Sequence, residues 1–174
     1  MAFKIFLRVS FVACAFLAQC ALADESAVQP PQAESEILRP DNGMQQIIDQ
    51  ALGLIGIRYR RSGDKPQAGF DCSGFVGYVF REGVGMILPR ASREISKAGM
   101  PVSKDELEPG DLVFFNTMRH AFSHVGIYLG NHRFVHAPRT GESVRIDDLQ
   151  GRYWAKRYNG ARRMPATVAS IAQQ

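Results

Sequence analysis

The spacing of apolar residues changes character several times along this chain. A mainly apolar run covers residues 9–18, large apolar residues then become sparse over residues 24–43, and a periodic pattern follows. Met44, Ile47, Ile48, Ala51, Leu52 and Ile55 recur every three or four residues, the stripe of an amphipathic helix. Asp41 or Asn42 can cap that helix and Gly56 can end it. Arg58-Tyr59-Arg60 leads into a loop of Gly, Lys, Pro and Gln. A second helix is expected from Asp71 or Cys72 to about Glu82, burying Phe75, Val76, Val79 and Phe80. A short third helix follows Pro89, around residues 91–98, and Gly99 closes it.

Beyond the turn Glu108-Pro109-Gly110-Asp111 the pattern becomes that of strands. Residues 112–115, 124–129 and 133–137 are short, rich in β-formers and bounded by turn residues. Residues 144–146 are a further candidate strand, residues 154–158 a last helical turn, and residues 161–164 a closing strand. Helices first and an antiparallel sheet after them is an α+β order, with the N-terminal helices packed on the sheet. The 174 residues suit one domain with a real core.

The first apolar run does not belong to that domain. Lys4 and Arg8 precede it and Ala21-Leu22-Ala23 follows as a small-x-small site, the layout of a secretory signal peptide cleaved after Ala23. Leu17-Ala18-Gln19-Cys20 is an alternative processing site resembling a lipobox, although Gln19 fits it badly; Cys20 would then carry a lipid anchor. The expected organisation is a signal peptide at residues 1–23, a flexible linker at 24–43, a folded domain at 44–165 and a tail at 166–174. The protein is expected to be exported to the periplasm or cell envelope, and to be a monomer.

Charge adds little. The chain has 21 Lys and Arg against 17 Asp and Glu, and loss of Lys4 and Arg8 with the signal leaves 19 against 17. That balance is too weak to argue for nucleic acid. The cysteines say more. Of three, Cys14 and Cys20 lie in or beside the signal, so only Cys72 remains after cleavage at Ala23. A lone cysteine in an exported protein is an intermolecular bridge, a reactive thiol or a buried filler.

The position of Cys72 favours the reactive thiol. At a helix N-terminus, unpaired N–H groups and the positive end of the dipole stabilise a thiolate, and can face an oxyanion formed on a substrate carbonyl. His124 and His136 lie far along the chain, as expected for a base and its partner. Their cooperation depends on strand parity. A two-residue loop at Gly130-Asn131 pairs Leu129 with His132 and puts the two histidines on opposite faces. A three-residue loop, residues 130–132, pairs Leu129 with Arg133 and sets His136 opposite Gly126. The catalytic reading therefore requires an odd-length loop, and a two-residue loop would rule it out.

Four motifs carry a family resemblance: Asp71-Cys72-Ser73-Gly74-Phe75-Val76, Pro109-Gly110-Asp111-Leu112-Val113-Phe114-Phe115, His124-Val125-Gly126-Ile127-Tyr128-Leu129-Gly130 and Phe134-Val135-His136-Ala137. Together they resemble the NlpC-type family of papain-like cysteine peptidases, which hydrolyse bacterial peptidoglycan. The resemblance implies an NlpC-type fold, an enzyme without cofactor, and peptidoglycan stem peptides as partners. It makes Cys72 the nucleophile, His124 the general base and His136 the residue that orients it. Tyr59 is implied at the oxyanion, Asp71 at a substrate amine or as an N-cap, Ser73 lining the site, and Arg90 at substrate carboxylates or on the surface. Ile95 departs from the family, where Gln is frequent. Residues 153–159 resemble members that cut the cross-link between D-alanine and a diamino acid; others cut the stem between D-glutamate and the diamino acid. Zinc binding through Cys72, His124 and His136, a non-catalytic wall-binding module, and acyl transfer are the rival readings.

Overall fold

The computed structural model describes residues 40–117 and 119–165. The expected signal peptide, most of the linker and the tail lie outside these residues. Helix α1 spans Pro40–Leu52, starting four residues before the expected boundary at Met44, and a series of turns carries the chain on to Gly56. Strands β1 (Asp64–Lys65) and β2 (Gly69–Phe70) form a small antiparallel ladder inside what the sequence marks as loop. Helix α2 is Cys72–Val84 and the short α3 is Ser92–Ile95. Then come β3 (Met100–Val102), β4 (Leu112–Phe115), β5 (His124–Gly130), β6 (Arg133–His136) and β7 (Arg145–Asp148). A short α4 (Arg152–Ala155) precedes β8 (Tyr158–Arg163).

One antiparallel sheet has the order β3-β8-β4-β5-β6-β7. The α+β expectation holds, but the last strand begins three residues earlier than expected and lies inside the sheet, not at its edge. One edge is β3, which the sequence reading missed, and the other is β7; Pro101 suits an edge because it has no N–H to give a further neighbour.

The sheet is covered on both faces, which explains the uninterrupted Leu-Val-Phe-Phe of β4. Leu112 and Phe114 join Val125, Ile127 and Val135 against α1 and α2, where Ile47, Ala51, Phe75, Val76 and Val79 are buried. Val113 and Phe115 point the other way, into a cluster with Tyr128, Phe134, Leu149 and Trp154. Four fully buried phenylalanines in β4, β6 and α2 (Phe75, Phe114, Phe115, Phe134) contribute roughly 2–3 kcal/mol each by transfer from water. Among the described residues no helix is long and apolar enough to cross a membrane.

The expected odd-length loop between β5 and β6 is not what forms, and the rule that a two-residue loop separates the histidines fails because it left out a bulge. The turn has two residues, Asn131 and His132, both with positive φ, between the pair Gly130 and Arg133. The pairing shifts between Tyr128 and Gly130, so Leu129 is an extra residue on β5. A bulge of one residue reverses parity just as a longer loop does. Tyr128 therefore pairs with Phe134 and Ile127 with Val135, the register that the catalytic reading needs, reached by a different route.

Candidate active site

Cys72 is placed by local chemistry at the start of α2. Asp71 caps the helix with extended backbone, its carboxylate accepting the Gly74 N–H at 2.7 Å. A Cβ on Gly74 would lie 2.0 Å from the Gly63 carbonyl oxygen, so only glycine lets the helix start sit on that loop. The Asp71 N–H also binds the Gly63 carbonyl at 3.0 Å. Gly85 ends the helix in left-handed conformation, donating to Arg81 and Phe80 carbonyls.

Arg90 reaches back to the same helix start. Its Nη2 meets Asp71 Oδ2 at 2.6 Å, its Nη1 meets Asp71 Oδ1 at 3.0 Å, and Nη1 also donates to the Ser73 hydroxyl at 2.9 Å. The Asp71 charge is thus already paired by a two-pronged arginine. Tyr59 is held by its backbone, its N–H donating to Glu142 O at 2.7 Å, and it packs against the main core beside Cys72.

His124 opens β5 and His136 ends β6 on the sheet face opposite α2. His124 Nε2 lies 2.8 Å from His136 Nδ1, with the rings at 88°. Gly126 makes this approach feasible: a Cβ there would come within 2.8 Å of the Phe134 ring, 2.9 Å of Val135 O and 3.1 Å of His136 Cβ. His124 is 3% exposed and His136 fully buried. The other nitrogen of His124, Nδ1, makes no hydrogen bond among the described residues. His120 and His132 lie in loops, as expected.

Cys72 and His124 line one cleft of about 510 Å³, together with Tyr59, Arg139, Tyr153 and Trp154. Burial is the largest influence on the thiol and, with the Asp71 charge, pushes it up to about 11. The N–H groups of Val125, Ser73 and Cys72 itself act in the opposite direction. Burial also pushes His124 well below the usual histidine value, and the neighbouring His136 adds to this. Both environments favour neutral partners, so moving the proton from sulfur to imidazole needs hydrogen-bonded support for the charges it creates.

Two functional neighbours escape the sequence reading. Asp147 on β7 lies 3.0 Å through Oδ2 from His136 Nε2, and Trp154 on α4 donates its indole N–H to the same oxygen at 2.9 Å. Trp154 also stacks on His124, with ring centroids 5.4 Å apart and planes at 26°. The tail motif that contains Trp154 was visible as a resemblance, but nothing in its spacing aims the indole at the histidines. Asp147 had no such signal. Among the described residues, no group of three or more His, Cys, Asp or Glu is arranged to hold a metal ion.

Comparison with known proteins matches residues 56–163 to the NlpC/P60 family. Murein DD-endopeptidase MepS/Murein LD-carboxypeptidase of Escherichia coli K12 is 43% identical over 143 residues, covering 82% of this chain and 74% of that protein. Murein DD-endopeptidase MepH of the same strain is 36% identical over 143 residues, covering 80% of this chain; the chain spans only 53% of that protein. The crystal structure of an NlpC/P60 family protein from Bacillus cereus superposes with a TM-score of 0.66 at 34% identity, covering 70% of this chain and 40% of that one.

Proposed function

The chain belongs to the NlpC/P60 family, and on that premise we propose that it is a cysteine peptidase that hydrolyses peptidoglycan peptides, cutting the cross-link between D-alanine and a diamino acid. The observation that carries this reading is the 2.8 Å bond from buried His136 to His124, which lines the same cleft as Cys72. With Nε2 engaged, His124 has Nδ1 to take the thiol proton as Sγ attacks the carbonyl carbon. The oxyanion faces the Cys72 and Ser73 N–H groups that reach the sulfur at the start of α2, with the Tyr59 hydroxyl as a further donor. The imidazolium then protonates the leaving amine, the C–N bond breaks, and a thioester remains on Cys72. Water, deprotonated by His124, attacks the thioester, releasing the new carboxylate and returning the proton to sulfur.

Three observations support the cross-link. The relatives MepS and MepH are named murein DD-endopeptidases. Residues 153–159 resemble the members that cut this bond. Asp71, the acidic group beside Cys72, is neutralised by Arg90 and offers no free carboxylate for a substrate amine, so the site suits a peptide whose nearby amine is already acylated. Substrate of this kind lies in the cell envelope. Export through residues 1–23, with Cys20 as an alternative lipid anchor, would deliver the protein there.

Purified cross-linked muropeptide dimer and uncross-linked stem peptide test the bond directly. The dimer is expected to fall to two monomers, identified by mass, with the stem left intact; the reaction should stop on alkylation with iodoacetamide and continue with a chelator. Cleavage of the stem between D-glutamate and the diamino acid, with the dimer untouched, would contradict this choice of bond. Inhibition by the chelator alone would contradict the cysteine mechanism.

A further inference from the structure

We propose that Asp147 is a positioning residue: by accepting the Nε2–H of His136 it sets the tautomers of both histidines and leaves His124 Nδ1 bare, ready for the proton of Cys72. The assignment follows from counting donors. Asp147 Oδ2 receives the Trp154 indole N–H at 2.9 Å and Arg145 Nη2 at 3.0 Å, while Oδ1 receives Arg145 Nε at 2.9 Å. Indole and guanidinium nitrogens only donate. The carboxylate is therefore the acceptor throughout, and the proton in its 3.0 Å contact with His136 sits on His136 Nε2.

The rest is forced along the chain. A neutral His136 protonated at Nε2 presents a lone pair at Nδ1, so in the 2.8 Å contact His124 Nε2 must donate. A neutral His124 protonated at Nε2 has its own lone pair at Nδ1. The opposite tautomer of His136 would set a lone pair against an ionised carboxylate at 3.0 Å, and would leave His124 with Nδ1–H, unable to accept from sulfur.

The charged groups that reach the histidines are Asp147, Arg145 and Glu142. Burial opposes ionisation of Asp147, but the hydrogen bonds from His136, Arg145 and Trp154 outweigh it and hold the carboxyl well below its usual range. Arg145 is shared between Asp147 and Glu142, the latter at 2.6 Å, and Glu142 in turn holds Arg139 at 2.9 Å. These bonds favour Asp147 as the anion. It also lies one imidazole away from the positive charge that His124 gains during proton transfer. The role in hydrolysis rests on His124 being the base, whereas the tautomers themselves do not.

Long-range proton–nitrogen NMR of the labelled wild-type protein reads the tautomers without any substrate. Both His124 and His136 are expected as Nε2–H forms; Nδ1–H on either would overturn the proposal. Whereas the amide oxygen of Asp147→Asn can keep the place of Oδ2, facing the Trp154 and Arg145 donors, Asp147→Ala removes the acceptor and is expected to let His136 and His124 take Nδ1–H forms. The kcat of Asp147→Ala should fall about 10- to 100-fold while KM stays within about threefold. A folded Asp147→Ala with unchanged kcat, or with a loss of kcat but unchanged tautomers, would also overturn it. Should Asp147→Ala not fold, the wild-type spectrum still decides. An inactive wild-type enzyme with the expected tautomers would count against the proposed function and leave the positioning geometry standing.

Discussion

Replacing His124 with alanine is expected to lower kcat/KM on cross-linked muropeptide by about 10³-fold or more, the scale of losing a general base from a nucleophile–base pair. That is about 4 kcal/mol of transition-state stabilisation. The loss has two parts in this site. The thiol is pushed up to about 11, so without a base beside it almost none is ionised at neutral pH. The leaving amine also loses the acid that protonates it. His124 is a packed residue as well, stacked on Trp154 and 6.1 Å from the Phe115 ring, so its removal opens a hole in the second core cluster. The cost in stability should be of order 1–3 kcal/mol, which leaves the protein folded at 25 °C. Steady-state kinetics on protein whose fold is checked by circular dichroism separates the two. Wild-type kcat/KM in folded His124→Ala would remove His124 from the mechanism.

The largest expected effect on stability lies elsewhere, at Asp111. This residue belongs to the Pro109-Gly110-Asp111 motif, yet it lies far from the chemistry in role: it is fully buried and clamps the last strand. Arg163 on β8 reaches it with Nε to Oδ1 and Nη2 to Oδ2, both at 2.8 Å, and the Glu108 N–H donates to Oδ2 at 2.8 Å. Asp111→Asn keeps the shape but turns one acceptor into a donor facing another donor, and leaves Arg163 with only the exposed Glu108 carboxylate, 2.9 Å from Nη1, as an ionic partner. Breaking a buried pair from one side costs about 3–5 kcal/mol, and the partial exposure of Arg163 places this case near the lower end. For a folded region of this size the melting temperature should drop by roughly 10 °C, while kcat of the folded fraction at 25 °C is unchanged. The double variant Asp111→Leu/Arg163→Leu should recover part of the loss, because two apolar groups leave no charge stranded. An unchanged melting temperature in Asp111→Asn would refute the clamp.

These two residues also show how far the sequence could be read. The helix start at Cys72 was legible because its causes are local: a capping aspartate, a glycine where a Cβ cannot fit, and an apolar face at helical spacing. His124 and His136 were legible as a pair only under a condition on strand parity. The condition is met, but by a bulge at Leu129 and a two-residue turn, and sequence does not distinguish that combination from a longer loop. Strand β8 was misplaced because Tyr-Asn-Gly-Ala-Arg-Arg has little of the apolar pattern expected of an interior strand. Its arginines are satisfied by partners distant in sequence, Asp111 for Arg163 and the Ser96 carbonyl for Arg162 at 2.6 Å. Asp147 and Trp154 come from β7 and α4, and only the tertiary fold brings them to His136. Arg90 is a surface residue, as one of its two readings had it, but its hydrogen bonds to Asp71 and Ser73 depend on a partner 19 residues away that spacing does not reveal.

Cys72 joins every step of the proposed reaction, so its removal is the most direct test. Purified peptidoglycan digested with wild-type protein and with Cys72→Ala, followed by mass identification of the released muropeptides, gives the answer in one experiment. The wild type should deplete cross-linked dimers and Cys72→Ala should release nothing above background. Equal release by both proteins would contradict the account.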